Sequence, residues 1–532
     1  MTFNLQIVPE AEQGWRDAPG HLSTRNPRQR GNTAPQREIG KQEKAVCRLF
    51  LFILLLSLVM LEIGCSHNPI DEALKIQLPR HTVTIDPEGN PVDPVTFTTL
   101  SPDSFQRQLN TLITEISKSG KKQILVFVHG GLNHQEASLN RVQELLRDDD
   151  LMNAYYPIFL NWNSDLVDTS IEDLLYIRQG RMARVWGPVS SPFELLVSVG
   201  SGILRTPLVW AQMLSSDMNS TGVKFLQWPG KRNSDVLSNE LVGLYQNNGP
   251  DAIPIDPGKS DIKFWDKTTA LARYVVTLPS KLALSPFIDG IGQGAWHNML
   301  RRTQMQFYRE EAFDIRDFRD NSPKIRKMLT QGPDGGAYSL FRALRDLLQA
   351  NPHTLEMTII GHSMGTIVLN RVLREFPDLP VRNIVYMAAA CSIDDFRTSV
   401  IPYLLRSENQ EARFYNLMLH PDAEVREWQK SFLDLTPRGS LLVWIDNFLS
   451  APQTTLDRTL GSWENIIQAT HIIPLDVRPR ITLKAFCIGG PTCKAPATHG
   501  AFSDKAFRFW RPEFWQIPES TDSRETIRSL NK

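Results

Sequence analysis

Apolar positions between residues 100 and 120 repeat at helical spacing. Phe105, Leu109, Leu112, Ile113 and Ile116 share one face, which predicts a helix from about Pro102 to Lys118. Directly after it the pattern changes. Gln123-Ile-Leu-Val-Phe-Val128 is a short, nearly continuous apolar run, the form a strand takes when a parallel sheet buries both of its faces. Similar runs recur at Pro157-Ile-Phe-Leu-Asn-Trp162, Met357-Thr-Ile-Ile360, Ile384-Val-Tyr-Met-Ala-Ala-Ala390 and Arg413-Phe-Tyr-Asn-Leu-Met-Leu419, with helical patterns starting near Gly335 and running from Thr366 to Glu375. Strands alternating with helices predict an α/β fold, with a mostly parallel central sheet and helices on both faces.

The candidate chemistry is concentrated where these strands end. Met357-Thr-Ile-Ile360 runs into Gly361-His362-Ser363-Met364-Gly365 and then into a helical pattern. A strand, a glycine-flanked turn carrying Ser and a helix make a nucleophile elbow, in which the Ser is strained and the glycines let strand and helix pack too close for a Cβ. The helix N-terminus favours negative charge beside the Ser363 hydroxyl. Upstream, Val128 leads into His129-Gly130-Gly131-Leu132-Asn133, whose glycines let backbone N–H groups approach an oxyanion; Gly131 and Met364 are the candidate donors. Downstream, the strand at 413–419 runs out at His420-Pro421-Asp422. Asp422 is the candidate acid, with Asp394 and Asp395 as rivals and the N-cap of a helix from Ala423 to Lys430 as its plainer role. The candidate base is His499, in Thr498-His499-Gly500; His471, ahead of an Ile-Ile-Pro run, reads instead as a core or edge residue. His129 is expected to order the glycine loop and His362 to pack.

Ser363, Asp422 and His499 come in the chain order that the α/β-hydrolase fold uses. With His129-Gly130-Gly131, the elbow and the late His499-Gly500, residues from about 121 to 165 and 335 to 515 resemble a serine lipase or esterase of the α/β-hydrolase family. The strand at 157–162 resembles the family's fourth and that at 384–390 its sixth. The resemblance implies a Ser363 nucleophile, a His499 base oriented by Asp422, and an acyl-enzyme formed from a small carboxylic ester or lipid, with no cofactor. Two other functions fit the same residues: an acyltransferase in which an alcohol replaces water, and a non-catalytic envelope lipoprotein that keeps the fold as a scaffold.

Between Trp162 and Gly335 lie about 170 residues, where a parallel crossover needs only about a dozen. Residues 166–334 are therefore expected to form an inserted cap or lid between two parts of the core, 101–165 and 335–518. Within it, Leu195 to Trp210 is almost uninterrupted apolar sequence, fit to pack inside the cap or to face an acyl chain or a bilayer.

Residues 1–48, rich in Arg, Gln, Asn and Pro without apolar periodicity, read as disordered or as preceding the true start. In residues 49–65 an apolar run of about thirteen suits a signal peptide better than a bilayer span of about twenty. Gly64-Cys65 at its end resembles a bacterial lipoprotein cleavage site, with Cys65 as the lipidated residue; an uncleaved signal anchor is the alternative. Either would hold the catalytic part outside the cytoplasm, at a membrane of the cell envelope. Residues 66–100 are expected to be an extended linker and 519–532 a polar tail.

Of five cysteines, Cys487 and Cys493 flank a loop short enough to close as a disulfide in an oxidising compartment. No second Cys/His pair accompanies them, so no metal site is expected. Lys+Arg and Asp+Glu balance at 58 each, and with no basic patch and no phosphate-binding glycine loop, neither nucleic acid nor nucleotide is an expected partner.

Overall fold

The structure is a computed structural model that describes residues 72–131, 135–164, 166–178, 181–182, 187–220, 252–308, 335–427 and 434–517. The leader at 1–48, the 49–65 segment with Cys65, and the tail at 519–532 lie outside the described residues, as do parts of 66–100 and 166–334.

The apolar runs form the centre of a nine-stranded sheet. Its strands are β1 (Thr82–Ile85), β2 (Pro91–Val92), β3 (Gln123–Val128), β4 (Tyr156–Trp162), β7 (Ile255–Asp256), β8 (Glu356–His362), β9 (Asn383–Met387), β10 (Arg413–Met418) and β11 (Ile481–Ala485). A separate small hairpin joins β5 (Ile177–Arg178) to β6 (Arg181–Met182). In space the order is β2-β1-β4-β3-β8-β9-β10-β11-β7, and every neighbouring pair is parallel except β1–β2.

Alternation along β3 shows why the runs are continuous. Ile124, Val126 and Val128 join the apolar cluster of α1 (Pro102–Lys118), whereas Leu125 and Phe127 point to the other side, into the cluster of α2 (Gln135–Leu146). Helices cover both faces, so neither face can be polar. The first cluster also takes Leu340 and Leu344 of α7 (Gly336–Ala350) and Leu369 and Val372 of α8 (Gly365–Glu375). Helix α1 starts at Ser101, whose hydroxyl accepts from the Ser104 N–H, and it buries Phe105, Leu109, Leu112 and Ile116.

The expected linker holds two strands. All four residues of β1 are buried, and β1 lies parallel to β4. Thr-Val-Thr-Ile alternates and all three residue types favour strands, but four residues in a Pro- and Thr-rich stretch are too short a pattern to stand out.

Between β4 and β8 the chain forms α3 (Leu166–Tyr176), α4 (Gly187–Leu204), α5 (Thr206–Ser220) and the long α6 (Phe264–Met305), which carries Pro279 and Pro286 in its interior. Buried ion pairs fix α6 at two levels. Arg302 and Asn298 donate to Glu172 of α3 at 2.9 and 2.7 Å. Fully buried Lys281 donates to the Asp434 carboxylate at 2.8 Å and to Thr436 O at 2.6 Å. Helix α9 (Ile393–Leu405) follows β9.

Candidate active site

Strand β8 delivers the chain to Ser363, whose φ of +52° lies in the left-handed region. That conformation costs an L-residue about 1–2 kcal/mol, so the surroundings must impose it. The Ser363 N–H donates to Met387 O at 2.9 Å, and its carbonyl accepts from the Thr366 hydroxyl at 2.7 Å and from the Ala390 N–H at 3.2 Å. The flanking glycines are set by close approach. A Cβ on Gly365 would stand 2.2 Å from Val128 O, and one on Gly361 would stand 2.9 Å from Leu369 Cδ1. Ser363 is buried, and its Oγ has no hydrogen-bond partner among the described residues.

The glycine loop after β3 packs directly on this turn. A Cβ on Gly130 would lie 2.7 Å from Ser363 Cβ. His129 orders the loop, as expected from its place in the chain. The Trp162 N–H donates to His129 Nε2 at 3.1 Å, which leaves the proton on Nδ1 to be donated to Gly130 O at 2.7 Å. Burial pushes His129 down to about 4, so the ring is neutral at pH 7. Ser164 Oγ also donates to Gly130 O, at 3.1 Å. In a trans peptide C=O and N–H point oppositely, so pinning the Gly130 carbonyl turns the Gly131 N–H away from that cluster. No acceptor among the described residues pairs with the N–H of Gly131 or of Met364. Met364 Sδ and Met299 Cε of α6 both lie within 3 Å of where a Gly131 Cβ would be, at 2.8 and 2.9 Å.

His499 is brought to the elbow from the far side of the sheet. His362, expected only to pack, donates from Nε2 to the His499 carbonyl at 3.0 Å, and the two rings lie 5.3 Å apart. The Phe502 ring lies 6.4 Å from that of His362. His499 is buried, and neither Nδ1 nor Nε2 has a hydrogen-bond partner. Burial pushes it down to about 4 and His362 well below its ordinary value, so both imidazoles are neutral. No hydrogen bond joins Ser363 to His499 in this state.

Asp422 does not reach the His499 ring. Asp422 accepts a 2.5 Å hydrogen bond from Ser260 Oγ, and its own N–H donates to His420 Nδ1 at 3.0 Å; it makes no bond to the His499 ring. His420, not Asp422, caps the short helix Pro421–Glu424. The rivals serve elsewhere: Asp394 pairs with Arg397, and Asp395 with Arg374 and Asn370. The carboxylate that reaches His499 is Glu427, whose Oε2 accepts from the His499 N–H at 2.9 Å. Burial pushes Glu427 up to about 7, against the lowering effect of that bond. Nothing local marks Glu427 in the sequence, since Arg426-Glu427 reads as a solvated helix face. Only the approach of the 498–500 turn singles it out.

Cys487 and Cys493 form a disulfide just after β11, in the loop that leads to His499. The Asp261 N–H donates to Ile488 O at 2.9 Å and braces this loop. His471 lies in an exposed 3-10 turn rather than before a strand. A cavity of about 1080 Å³ is walled by Glu427, Thr498 and Gly500 and by Arg273 and Lys263; Ser363 is not in its wall.

The elbow, the glycine loop, Glu427 and His499 all stand at the carboxyl ends of parallel strands, where open α/β sheets place their sites. Such a site can generate an alkoxide-like oxygen at Ser363, and it presents two unused N–H donors to a developing negative charge. Among the described residues no cluster of three or more His, Cys, Asp or Glu could hold a metal. Comparison with protein families, with characterised proteins and with solved structures finds no match to this chain.

Proposed function

We propose that the protein is a serine hydrolase of the α/β-hydrolase kind, cleaving carboxylic esters of lipid-like molecules through an acyl-enzyme. One observation carries the reading: Ser363 is held at a left-handed φ of +52° with its Oγ buried and unpartnered. Strain and an unsatisfied hydroxyl both cost stability, and together at a strand-to-helix turn they are the price of a nucleophile.

In this mechanism His499 takes the Ser363 proton as Oγ attacks the ester carbonyl. The oxygen that becomes negative is held by the N–H groups of Gly131 and Met364. His499 then returns the proton to the leaving alcohol, and water releases the acid by the same two steps in reverse roles. We assign the orienting carboxylate to Glu427 rather than Asp422. Its oxygen already sits on the His499 main chain, and in this reading the ring rotates about its side-chain bonds to give Nδ1–H to the same carboxylate. Met299 lies over the glycine loop, so helices α3 to α6 cap the site in this reading, and α6 must shift to admit substrate. A lipidated Cys65 or a signal anchor would hold the enzyme in the cell envelope.

The test is fluorophosphonate labelling with turnover of p-nitrophenyl esters of increasing chain length. The label is expected on Ser363 alone, with turnover falling on the order of 10⁴-fold or more in Ser363→Ala. Full labelling or unchanged turnover in that variant sinks the reading.

A further inference from the structure

Helix α4 is built inside out. At about 100° per residue, six of its large apolar side chains, Val189, Phe193, Leu196, Val197, Ile203 and Leu204, fall within an arc of about 120°, while Leu195 and Val199 outside that arc are half-buried. All six are exposed, Leu196 at 72% and Leu204 at 84%. The opposite side carries the small residues Gly187, Ser191 and Gly202, and it is this side that is buried. Close packing explains the choice. A Cβ on Gly202 would stand 2.1 Å from Pro286 O of α6, and one on Gly290 of α6 would stand 2.3 Å from Ser198 O. The interior of the pair is polar as well: Asp289 of α6 is fully buried and pairs with Arg205 at 3.3 Å.

A helix facing water buries its large apolar residues and exposes its polar ones. Here small and polar groups face the protein and large apolar groups face outward, the distribution that helices adopt when their outer neighbour is lipid. Leu208 and Trp210 of α5 and Val275 and Val276 of α6 are also exposed, Val276 at 79%. Within α4 the only ionisable residue is Glu194. A patch of this length and character must be covered by something apolar.

We propose that the outer face of α4 and α5, with Val275 and Val276, lies in the interfacial region of a phospholipid bilayer. Two features favour lipid over a second copy of this chain or the chain's own residues 49–61. The inversion runs the length of α4, from Val189 to Leu204, and is not a single hot spot, as an extended apolar phase demands. The chain that precedes the described residues carries its apolar run up to Leu61, and Cys65 is seven residues before Glu72, a reach of at most about 25 Å. An apolar segment so close in sequence fits a chain that works at a membrane.

Trp210 is a built-in reporter: it lies on this face, and its Nε1 donates to Leu282 O at 2.8 Å. The full chain is mixed with phosphatidylcholine vesicles, with and without bromine on the acyl chains, and tryptophan emission is compared. Bromine quenches only within contact range, so brominated vesicles are expected to dim the wild-type protein. Trp210→Phe should lose the larger part of that dimming. Leu196→Glu with Leu204→Glu should also lose it while leaving the circular dichroism spectrum unchanged. Should that double variant not fold, the Trp210→Phe arm decides alone. Equal dimming with and without Trp210, in protein that sediments with the vesicles, would mean that the anchor alone holds lipid and would overturn the proposal. A solution dimer dissociated by Leu204→Glu, with no dimming in wild type, would assign the face to a second copy and overturn it too. Residues 49–61 folded over the face would keep Trp210 away from bromine, and an undimmed wild-type monomer would likewise overturn it. The quench reads lipid contact without any ester, so its outcome is independent of whether Ser363 is a nucleophile.

Discussion

Removing the proposed nucleophile should make the protein more stable. In Ser363→Ala one buried oxygen is deleted, and that oxygen has no partner. An unsatisfied buried hydroxyl costs about 1–3 kcal/mol. Its loss also forfeits dispersion contacts at about 0.1–0.2 kcal/mol each, which for one atom sums to less than about 1 kcal/mol. The net expectation is a gain of about 1–2 kcal/mol. Ser363→Gly differs, because it relieves the left-handed backbone by about 1–2 kcal/mol but adds about 0.5–1 kcal/mol of unfolded-state entropy. It should therefore be as stable as the Ala variant or slightly more so. Thr366→Val, in the same turn, is the contrast: its hydroxyl donates to Ser363 O at 2.7 Å, so losing it should cost about 1–2 kcal/mol. Thermal unfolding followed by calorimetry reads all three, with about 2–4 °C per kcal/mol in a domain of 150–250 residues and less in a larger one. A lower Tm for Ser363→Ala than for wild type would show that the hydroxyl is bonded in the folded protein, and it would remove the main support for the elbow as a strained, unsatisfied site.

Glu427→Gln should lower kcat by about 10³–10⁴-fold, while Asp422→Asn, which disturbs only the Ser260 contact, stays within about tenfold of wild type; the reverse ranking in ester hydrolysis returns the acid to Asp422. Glu427 must be ionised to orient His499 and is pushed up to about 7, so wild-type kcat/KM should rise with pH through about 7 and Glu427→Gln should lose that limb. Glu424 is pushed up to about 8 by burial and by Asp446, so between pH 4.5 and 8 the folded state holds a proton that the unfolded state has released. Stability therefore falls as pH rises through that window, by up to about 1.4 kcal/mol per pH unit, and Glu424→Gln should flatten the fall in urea titrations at pH 5 and pH 8. Gly365→Ala would press a Cβ to 2.2 Å from Val128 O, so it should cost about 3 kcal/mol or more or fail to fold, which soluble yield and Tm both report.

What was legible in the chain was what depends on local pattern. Strands β3, β4, β8 and β10 were visible because burial on both faces leaves an unbroken apolar run, and the elbow was visible because its two glycines and Ser363 stand together in five consecutive residues between a strand and a helix. Strand β1 was not. It is four residues long, and its place beside β4 is decided by a partner more than seventy residues later in the chain. The insertion was legible as length and apolarity, but not as an inversion, since a helix with small residues on one side and large ones on the other reads the same whichever side is buried.

The site divided along the same line. Ser363, Gly131 and Met364 stand in short motifs that can be read in the sequence, and the structure packs the glycine loop directly on the Ser363 turn. The acid is a tertiary property. Asp422 stands where a strand end would place a carboxylate, yet the short Pro421–Glu424 helix turns its side chain to Ser260, and the same turn carries Glu427 to the His499 main chain. A carboxylate orients an imidazole only from within hydrogen-bond distance, and Asp422 makes no bond to the His499 ring. His362 makes the same point in reverse. It is inside the most recognisable motif of the chain, and its work is done at a distance, holding by one bond the carbonyl of a residue 137 positions away.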